Sequence, residues 1–512
     1  MNNSITSNNL KKIGFFLAVI IFSSVLILFF NSCNLGLKPY LRVALLDDNI
    51  NLNYIDEPNF LTMNILNLVC PSLFYYDDNY LPKSKILKDI PSLDNKKMYS
   101  IKNNDSLKSA IIISKEDFKS DVNLINLNDI LQTPSLFSIE LLSKKWIYKQ
   151  NFVINKMTIF QDSLNIEYND SYSLPYFPYP TILISKYLPN YQQQIMDFIY
   201  KDKVNFDFLR PYSSNLKDSE FYKLVSIKSL EYKNIFTIYN QKNNRLIEFI
   251  GFKDYENLSK EISKLDLIKL DPKLVNLIKV PQDFQVKILP NQNVFFIFFN
   301  PNLTIENRKS IYYALRKNIL NKLPINYSVY SYYLLYNHFA LYDTDKVIKS
   351  EQSFKYKLSK KEVKGIIIYR NFSEKIIANL ITEVLKDKFN FSETLFNLEQ
   401  EDSGFSLENY FNLDKYDFII ISINLKPYFN YSKIYSSNGV YNFYRFNIDD
   451  DLVNKIMAGY SYDQKQYLID LQEKLIQTFY VVPILVDTKA YIFSPKFTKK
   501  SKLLSSDYLE IL

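Results

Sequence analysis

Cys33 is the residue whose surroundings point most directly to a chemical reaction. Lys11 and Lys12 precede an uncharged apolar run over residues 13–30, and the small residue Ser32 stands immediately before the thiol. A charged stretch, a short apolar stretch and small residues before a cleavage point are the layout of a secretory signal. A cysteine directly after that point is typical of bacterial lipoprotein signals, so we expect cleavage before Cys33 and acylation of the new N-terminus.

Residues 1–33 are therefore predicted to be a lipoprotein signal peptide, with palmitate or a similar acyl group on Cys33. Two or three acyl chains anchor a protein stably, whereas one chain binds a membrane only reversibly. The alternative is an uncleaved anchor helix, because the apolar run borders on the length that spans a bilayer. Both interpretations place the rest of the chain in the cell envelope, on the extracytoplasmic side of a bacterial membrane. They leave open whether that is the inner or the outer membrane.

Residue types that catalyse hydrolysis are scarce in this chain. His338 is the single histidine, and no motif surrounds it, although a Ser-His or Cys-His nucleophile would need it. No H-E-x-x-H and no paired C-x-x-C occurs, which argues against a zinc site. Cys70 is the only cysteine besides Cys33, so no internal disulfide is expected once Cys33 is acylated, and its apolar surroundings predict a buried structural thiol. We expect a protein that is not an enzyme and uses no cofactor.

The charge and composition limit the partners. Removing the two leader lysines from the formal net charge of +8 leaves +6, spread over a surface where basic and acidic residues alternate. Such a surface is solvated and does not follow a phosphate backbone, which argues against nucleic acid as a partner. Only seven glycines are present, so a glycine-rich phosphate loop is not expected. A hydrophobic content of 47% over 512 residues suits two or three lobes with ample core.

The C-terminal half alternates strand and helix patterns. Val363–Tyr369 is a β-branched run, and a helix is predicted from Ser373 to residue 386. A second strand over residues 392–398, a short helix over 406–411 and a buried strand over 416–423 complete a βαβαβ order. This order predicts a largely parallel sheet covered on both faces.

Two more helices carry clear start signals. Thr304 is expected to cap a helix over residues 304–323, with Arg308, Arg316 and Lys317 largely outside its apolar stripe.

Ser461 and Gln464 have the spacing of a capping box for the second helix. The chain then runs into an apolar strand over residues 480–485. Near the N-terminus, residues 41–46 are predicted to be the first strand of the fold.

Residues 295–320 (FFIFFNPNLTIENRKSIYYALRKNIL) form the most specific segment of the chain. Asn300, Arg308, Ala314 and Leu315 hold the pattern F-N-x-x-x-P-F-x-D-x-R-V-R-x-A-L-x-Y-A-I-D-R of the family 5 extracellular solute-binding proteins, the dipeptide- and oligopeptide-binding lipoproteins of ABC importers. Weaker matches follow in the family's order, at residues 53–77, 90–101 with 114–118, 416–421, 442–457 and 480–491. The chain thus resembles a divergent member of this family nearly end to end.

The resemblance implies an α/β fold of the periplasmic-binding-protein-like type II, a clamshell of two lobes with an additional domain. Lobe I would be discontinuous. The implied boundaries are 41–62 with 180–283 and 484–512 for lobe I, 63–179 for an additional domain packed on lobe I, and 284–483 for lobe II.

The resemblance also implies where a ligand binds. Relatives that hold peptides grip the α-amino group with an aspartate after the strand that matches residues 416–421, and Lys426 lies nearest that position here. An ammonium group would repel an amino terminus and attract a carboxylate or another anion. The candidate ligand-binding residues are Ser422, Ile423, Asn424, Leu425, Lys426 and Tyr428.

Two functions follow from the sequence. The first is a membrane-tethered receptor that captures peptide or a related small ligand in an interlobe cleft and delivers it to an ABC permease. The second is the same fold repurposed as a non-transport envelope or surface lipoprotein that serves adhesion or sensing. The complete series of segments favours the first, and the missing aspartate and scarce glycines favour the second.

Overall fold

The structure is a computed structural model, and every structural statement below concerns the residues that it describes. These are residues 39–46, 60–69, 75–76, 82–84, 87–103, 106–119, 154–160, 163–168, 222–240, 243–329, 362–398, 407–425, 431–458, 461, 463–503 and 509–511. Predictions for Cys33, Cys70, His338, Lys426 and Tyr428 fall outside them.

Strands predominate in the N-terminal half, and helices and strands are mixed in the C-terminal half. The strands are β1 Leu41–Leu45, β2 Tyr75–Tyr76, β3 Pro82–Lys83, β4 Met98–Asn103, β5 Ser106–Ser114, β6 Ile154–Phe160, β7 Ser163–Tyr168, β8 Lys223–Ser229, β9 Lys233–Asn240, β10 Arg245–Phe252, β11 Leu267–Leu270, β12 Gln285–Phe299, β13 Tyr327–Val329, β14 Val363–Tyr369, β15 Phe391–Asn397, β16 Phe418–Asn424, β17 Val481–Phe493, β18 Ser501–Leu503 and β19 Leu509–Ile511. The α-helices are α1 Phe60–Val69, α2 Tyr255–Glu261, α3 Pro272–Val275, α4 Ile305–Ile319, α5 Phe372–Lys388, α6 Ser432–Tyr435, α7 Asp450–Ala458, α8 Gln464–Thr478 and α9 Phe497–Lys500. Short 3₁₀ turns occupy Lys115–Asp117, Ile262–Lys264, Leu320–Lys322, Leu407–Asn409 and Leu413–Lys415.

One large sheet organises the described chain. Its strand order is β15-β14-β16-β12-β17-β11-β1-β10-β9-β8, and β13 pairs with β17 beside this path. Strands β4, β5, β7 and β6 form a separate antiparallel sheet of four. Within the described residues, no helix is both long enough and apolar enough to cross a bilayer.

The two central strands, β12 and β17, run through both halves of this sheet. Residues 285–290 of β12 pair with residues 488–493 of β17, and the same end of β17 pairs with β11. Residues 294–298 pair with residues 481–486, and this end of β12 also pairs with β16. The register shifts between Pro290 and Val294, so one irregularity separates the two halves.

The predicted parallel arrangement in the C-terminal half is confirmed. Strand β14 pairs in parallel with both β15 and β16, and the burial of its isoleucines shows that both faces are covered. Gly365 lies where β14 meets β16, and a Cβ atom built there would come within 2.3 Å of the Phe418 ring. The predicted helix start was wrong by one residue, because Asn371 is the N-cap and α5 begins at Phe372. The expected short helix over 406–411 is a 3₁₀ turn where it is described.

Helix α4 begins after Thr304 as predicted, and the Thr304 hydroxyl accepts the Asn307 N–H. The expectation that its arginines lie outside the apolar face was wrong. The side chain of Arg308 is buried, because three backbone carbonyls receive its guanidinium. Arg316 is buried too, and it donates to the Tyr312 hydroxyl at 3.0 Å. The spacing of apolar residues predicts which side of a helix faces the core. It does not show where carbonyl groups of other segments can bind a buried basic side chain.

The capping box predicted for α8 does not form. Asp463 is the N-cap residue, without a side-chain cap hydrogen bond, and the helix begins at Gln464. The Ser461 hydroxyl is buried and has no hydrogen-bond partner in the described ranges of the chain.

Candidate functional site

A cavity of about 390 Å³ opens where the parallel strands β14 and β16 end and helix α5 begins. Ligands of open α/β sheets commonly bind beyond the carboxyl ends of the strands. Its lining comes from four separate segments of the chain: Asn293, Phe295, Tyr327, Asn371, Phe372, Ser373, Glu374 and Ser422.

The N-terminus of α5 forms one wall of the cavity. The Asn371 side chain accepts the Glu374 N–H at 2.9 Å, and the Glu374 carboxylate turns back to accept the Arg370 N–H at 2.8 Å. The Glu374 carboxylate is therefore already hydrogen-bonded within the first turn of the helix. Among the described residues, the N–H groups of Phe372 and Ser373 have no hydrogen-bond acceptor, as is usual for the first turn of a helix. Free N–H groups and the positive end of the helix dipole favour an anionic or strongly accepting group here.

Ser422 lies in the strand that forms the opposite wall. It pairs with Phe295 across the antiparallel β12–β16 ladder, so both side chains point to the same face of the sheet. Ser422 is 1% exposed, and its hydroxyl finds no partner among the described residues. A buried hydroxyl without a partner costs free energy, so a polar ligand group that reaches Ser422 would gain a hydrogen bond there.

Phe372 marks the mouth of the cavity. It is 78% exposed although it is a large apolar residue in the first turn of α5. An exposed aromatic ring beside polar groups is a surface on which an organic ligand can pack.

Tyr327 contributes a second hydroxyl. Its ring lies edge-on to that of Phe295, with 6.1 Å between the ring centroids. Burial raises the pKa of Tyr327 to about 12, and the negative charges of Asp487 and Glu374 add to the shift. The phenol therefore stays protonated at neutral pH and remains a hydrogen-bond donor.

Asp487 forms hydrogen bonds with the irregular segment of β12 that borders the cavity. Its carboxylate accepts the Asn293 N–H at 2.9 Å, the Asn293 side-chain amide at 3.1 Å and the Asn291 side-chain amide at 2.9 Å. Asp487 also lies opposite Tyr327 in the β13–β17 ladder. Burial raises the pKa of Asp487, whereas these amide donors and Lys489 oppose the shift. The Asp487 carboxylate thus hydrogen-bonds Asn293, which lies in the register break and also lines the cavity.

The candidate residues named from the sequence lie in different environments. Ser422 lines the cavity, whereas the neighbouring Ile423 and Leu425 are buried in the core cluster. Asn424 is exposed and pairs with Asn293. The ligand-binding role of Ser422, Ile423, Asn424, Leu425, Lys426 and Tyr428 stays a prediction, as does the inverted charge at Lys426.

Sequence reasoning missed most of the cavity wall. Phe372 and Ser373 open a helix that is separated by two residues from the buried strand β14, a position where a polar or exposed aromatic residue could have been noticed. Tyr327 and Asn293 carry no comparable local signal. Among the described residues there is also no group of three His, Cys, Asp or Glu that could hold a metal ion.

Comparison with known proteins identifies the fold. No protein-family profile and no curated protein matches the sequence. The periplasmic murein tripeptide binding protein MppA, in its unliganded open form, superposes with a TM-score of 0.56 at 12% identity, covering 92% of this chain and 97% of that one. An ABC transporter substrate-binding protein from Sinorhizobium meliloti gives 0.54 at 13% identity, covering 92% and 99%. A nickel ABC transporter protein from Bacillus halodurans gives 0.53 at 10% identity, covering 93% and 100%.

These superpositions span nearly the whole of each chain. The predicted α/β fold, the type II clamshell of periplasmic binding proteins, is thereby confirmed.

Proposed function

We propose that this chain is a divergent family 5 solute-binding lipoprotein that captures peptide or a related small ligand for an ABC permease. The observation that carries the proposal is the cavity at the carboxyl ends of β14 and β16, beside the register break that joins the two halves of the sheet. A ligand in this cavity would contact the irregular segment of β12, which must bend if the two halves of the sheet close around the ligand.

The fold neighbours support the same class of function. Their names include a murein tripeptide binding protein, an ABC transporter substrate-binding protein and a nickel ABC transporter protein. These names refer to different ligands, so the fold alone does not select among them. Among the described residues, the cavity lining offers hydrogen-bond donors and aromatic rings, which are groups suited to holding a small ligand.

The proposed lobes follow the boundaries expected from the sequence. Lobe I comprises 41–62 with 180–283 and 484–512, and lobe II comprises 284–483, while 63–179 form the additional domain. The pairing of β17 with β11 supports the return of the C-terminal segment to lobe I. The pairing of β12 with β16 supports the assignment of that end of β12 to lobe II.

The proposed anchor is a lipid on Cys33, on the extracytoplasmic side of a bacterial membrane. Replacing Cys33 with alanine should leave a full-length precursor that incorporates no radiolabelled palmitate, because the signal peptidase and the acylating enzymes both act at that cysteine. A variant that is still processed and labelled would contradict the anchor.

The direct test of capture is mass spectrometry of the protein purified under native conditions from its own membranes. We expect small peptides or related solutes to be released when the protein is denatured, and an ABC permease to be recovered after cross-linking in intact cells. Protein that carries no solute and contacts no permease would contradict transport and favour the repurposed envelope lipoprotein.

A further inference from the structure

We propose that the N-terminus of α5 and the Ser422 hydroxyl together form a subsite for the carboxylate end of the ligand, with the Phe372 ring packing on the adjoining apolar part. This inference rests on the proposed function, because it names the chemistry of the same cavity.

Helix α5 is 17 residues long, and its first two residues line the cavity. Their N–H groups have no acceptor among the described residues. Glu374 does not occupy them, because its carboxylate accepts the Arg370 N–H instead. A carboxylate oxygen placed at this turn would receive N–H groups that are otherwise unsatisfied.

Ser422 lies on strand β16, apart from the helix, and is 1% exposed. Its hydroxyl has no hydrogen-bond partner within the described part of the chain. Its side chain points to the face on which Phe295 lines the cavity. The N-terminus of α5 and strand β16 therefore line the same cavity. Each presents a hydrogen-bond donor that has no acceptor among the described residues.

Two negative charges act on the Tyr327 wall of the cavity, those of Asp487 and Glu374. The Asp487 carboxylate is occupied by three amide N–H groups, and the Glu374 carboxylate lies 4.0 Å from the Arg370 guanidinium. Both charges are thus partly compensated within the protein. The protonated Tyr327 phenol adds a donor to the wall. An anion in the cavity meets mainly donors, whereas an ammonium group would find no carboxylate free of hydrogen bonds on the described walls.

The test uses the full-length protein and a mixture of random tripeptides in two forms, one with a free C-terminal carboxylate and one with a C-terminal amide. Both forms keep a free amino terminus. We expect the wild type to retain the acid form at least about tenfold more strongly in equilibrium dialysis, because a hydrogen bond to a charged group contributes a decade of affinity or more.

Two variants separate a ligand contact from a structural effect. Ser422→Ala should weaken retention of the acid form about tenfold and leave the amide form nearly unchanged. Ser501→Ala is the matched control, because Ser501 is also a strand serine, 1% exposed, and its hydroxyl has no partner among the residues that the structure describes. Neither variant should lower the unfolding temperature, since each removes an unsatisfied polar group.

Each outcome decides one question. Equal retention of the two forms, or equal behaviour of the two variants, overturns the carboxylate subsite and leaves capture of peptides standing. A preference for the amide form would also overturn the carboxylate subsite and leave capture of peptides standing. If the wild type retains neither form, both the subsite and peptide as the ligand are overturned.

Discussion

The Asp487 carboxylate accepts the backbone N–H of Asn293 at 2.9 Å, at the point where the pairing of β12 with β17 loses its register. Backbone groups in a bulge lose their ladder partners, and a buried N–H without an acceptor costs as much as a lost hydrogen bond. Asp487 supplies that acceptor and also receives the side chains of Asn291 and Asn293. The carboxylate therefore fixes the geometry of the segment that connects the two halves of the sheet.

Replacing Asp487 with asparagine should lower the free energy of unfolding by about 1–3 kcal/mol, because one acceptor oxygen becomes an NH₂ group facing the two asparagine amides. Denaturant titration at neutral pH measures this difference. The control is Asp283→Asn, since Asp283 is exposed and its replacement should change stability by less than about 0.5 kcal/mol. Equal values for the two variants would show that the carboxylate does not hold the bulge.

The same carboxylate should make stability depend on pH. Its folded pKa is raised above the unfolded value of 3.8, so between these two values the native state binds more protons than the unfolded state. Stability then rises as pH falls through this window, and at higher pH the contribution of this group no longer changes with pH. Other carboxylates titrate in the same range, so the measured quantity is the stability of the wild type minus that of Asp487→Asn. We expect this difference to grow from pH 7 towards pH 4, and a constant difference would contradict the raised pKa.

Arg308 is predicted to be a structural residue. Its guanidinium donates to the carbonyls of Leu303 at 2.8 Å, of Pro301 at 3.1 Å and of Thr478, and it lies 4.2 Å from the centre of the Tyr480 ring. Replacing Arg308 with lysine should lower the free energy of unfolding by about 2–4 kcal/mol, because a single ammonium cannot satisfy three carbonyls in these directions.

Lys317→Ala provides the control for that experiment, since Lys317 lies on the same helix and is exposed. Thermal and denaturant unfolding of both variants should show a large loss only for the Arg308 variant. A stability equal to that of the wild type would mean that water replaces the guanidinium at the three carbonyls.

Gly365 is predicted to be required by the close approach of β14 to Phe418. An added methyl group would meet the ring at 2.3 Å, so Gly365→Ala should lower the free energy of unfolding by about 1–3 kcal/mol through overpacking. The double variant Gly365→Ala with Phe418→Leu should recover part of this loss, because it removes the clashing ring. Strictly additive losses in a double-mutant cycle would show that the two residues do not interact.

The fold could be read from the sequence where local pattern decides the structure. The isoleucine run of β14 is buried on both faces, and its bounds matched the prediction because no competing pattern covers those residues. The site could not be read in the same way. Its walls come from β12, β13, β16 and the start of α5, and only the folded sheet brings these four segments together. The buried position of Arg308 escaped prediction for the same reason, since the carbonyl of Thr478 lies 170 residues away in sequence.

Phe372 is predicted to serve binding and not stability. Because its ring is 78% exposed, Phe372→Ser should change the free energy of unfolding by less than about 0.5 kcal/mol. The same change should reduce the amount of solute that co-purifies with the natively prepared protein, since it removes the aromatic surface at the cavity mouth. Val440→Ser is the control, because Val440 is 63% exposed and is not among the residues that line the cavity. Quantitative mass spectrometry of the released solutes should show a loss for Phe372→Ser alone. Equal solute content in the two variants would remove Phe372 from the site, whereas a marked loss of stability would show that its ring packs against the protein itself.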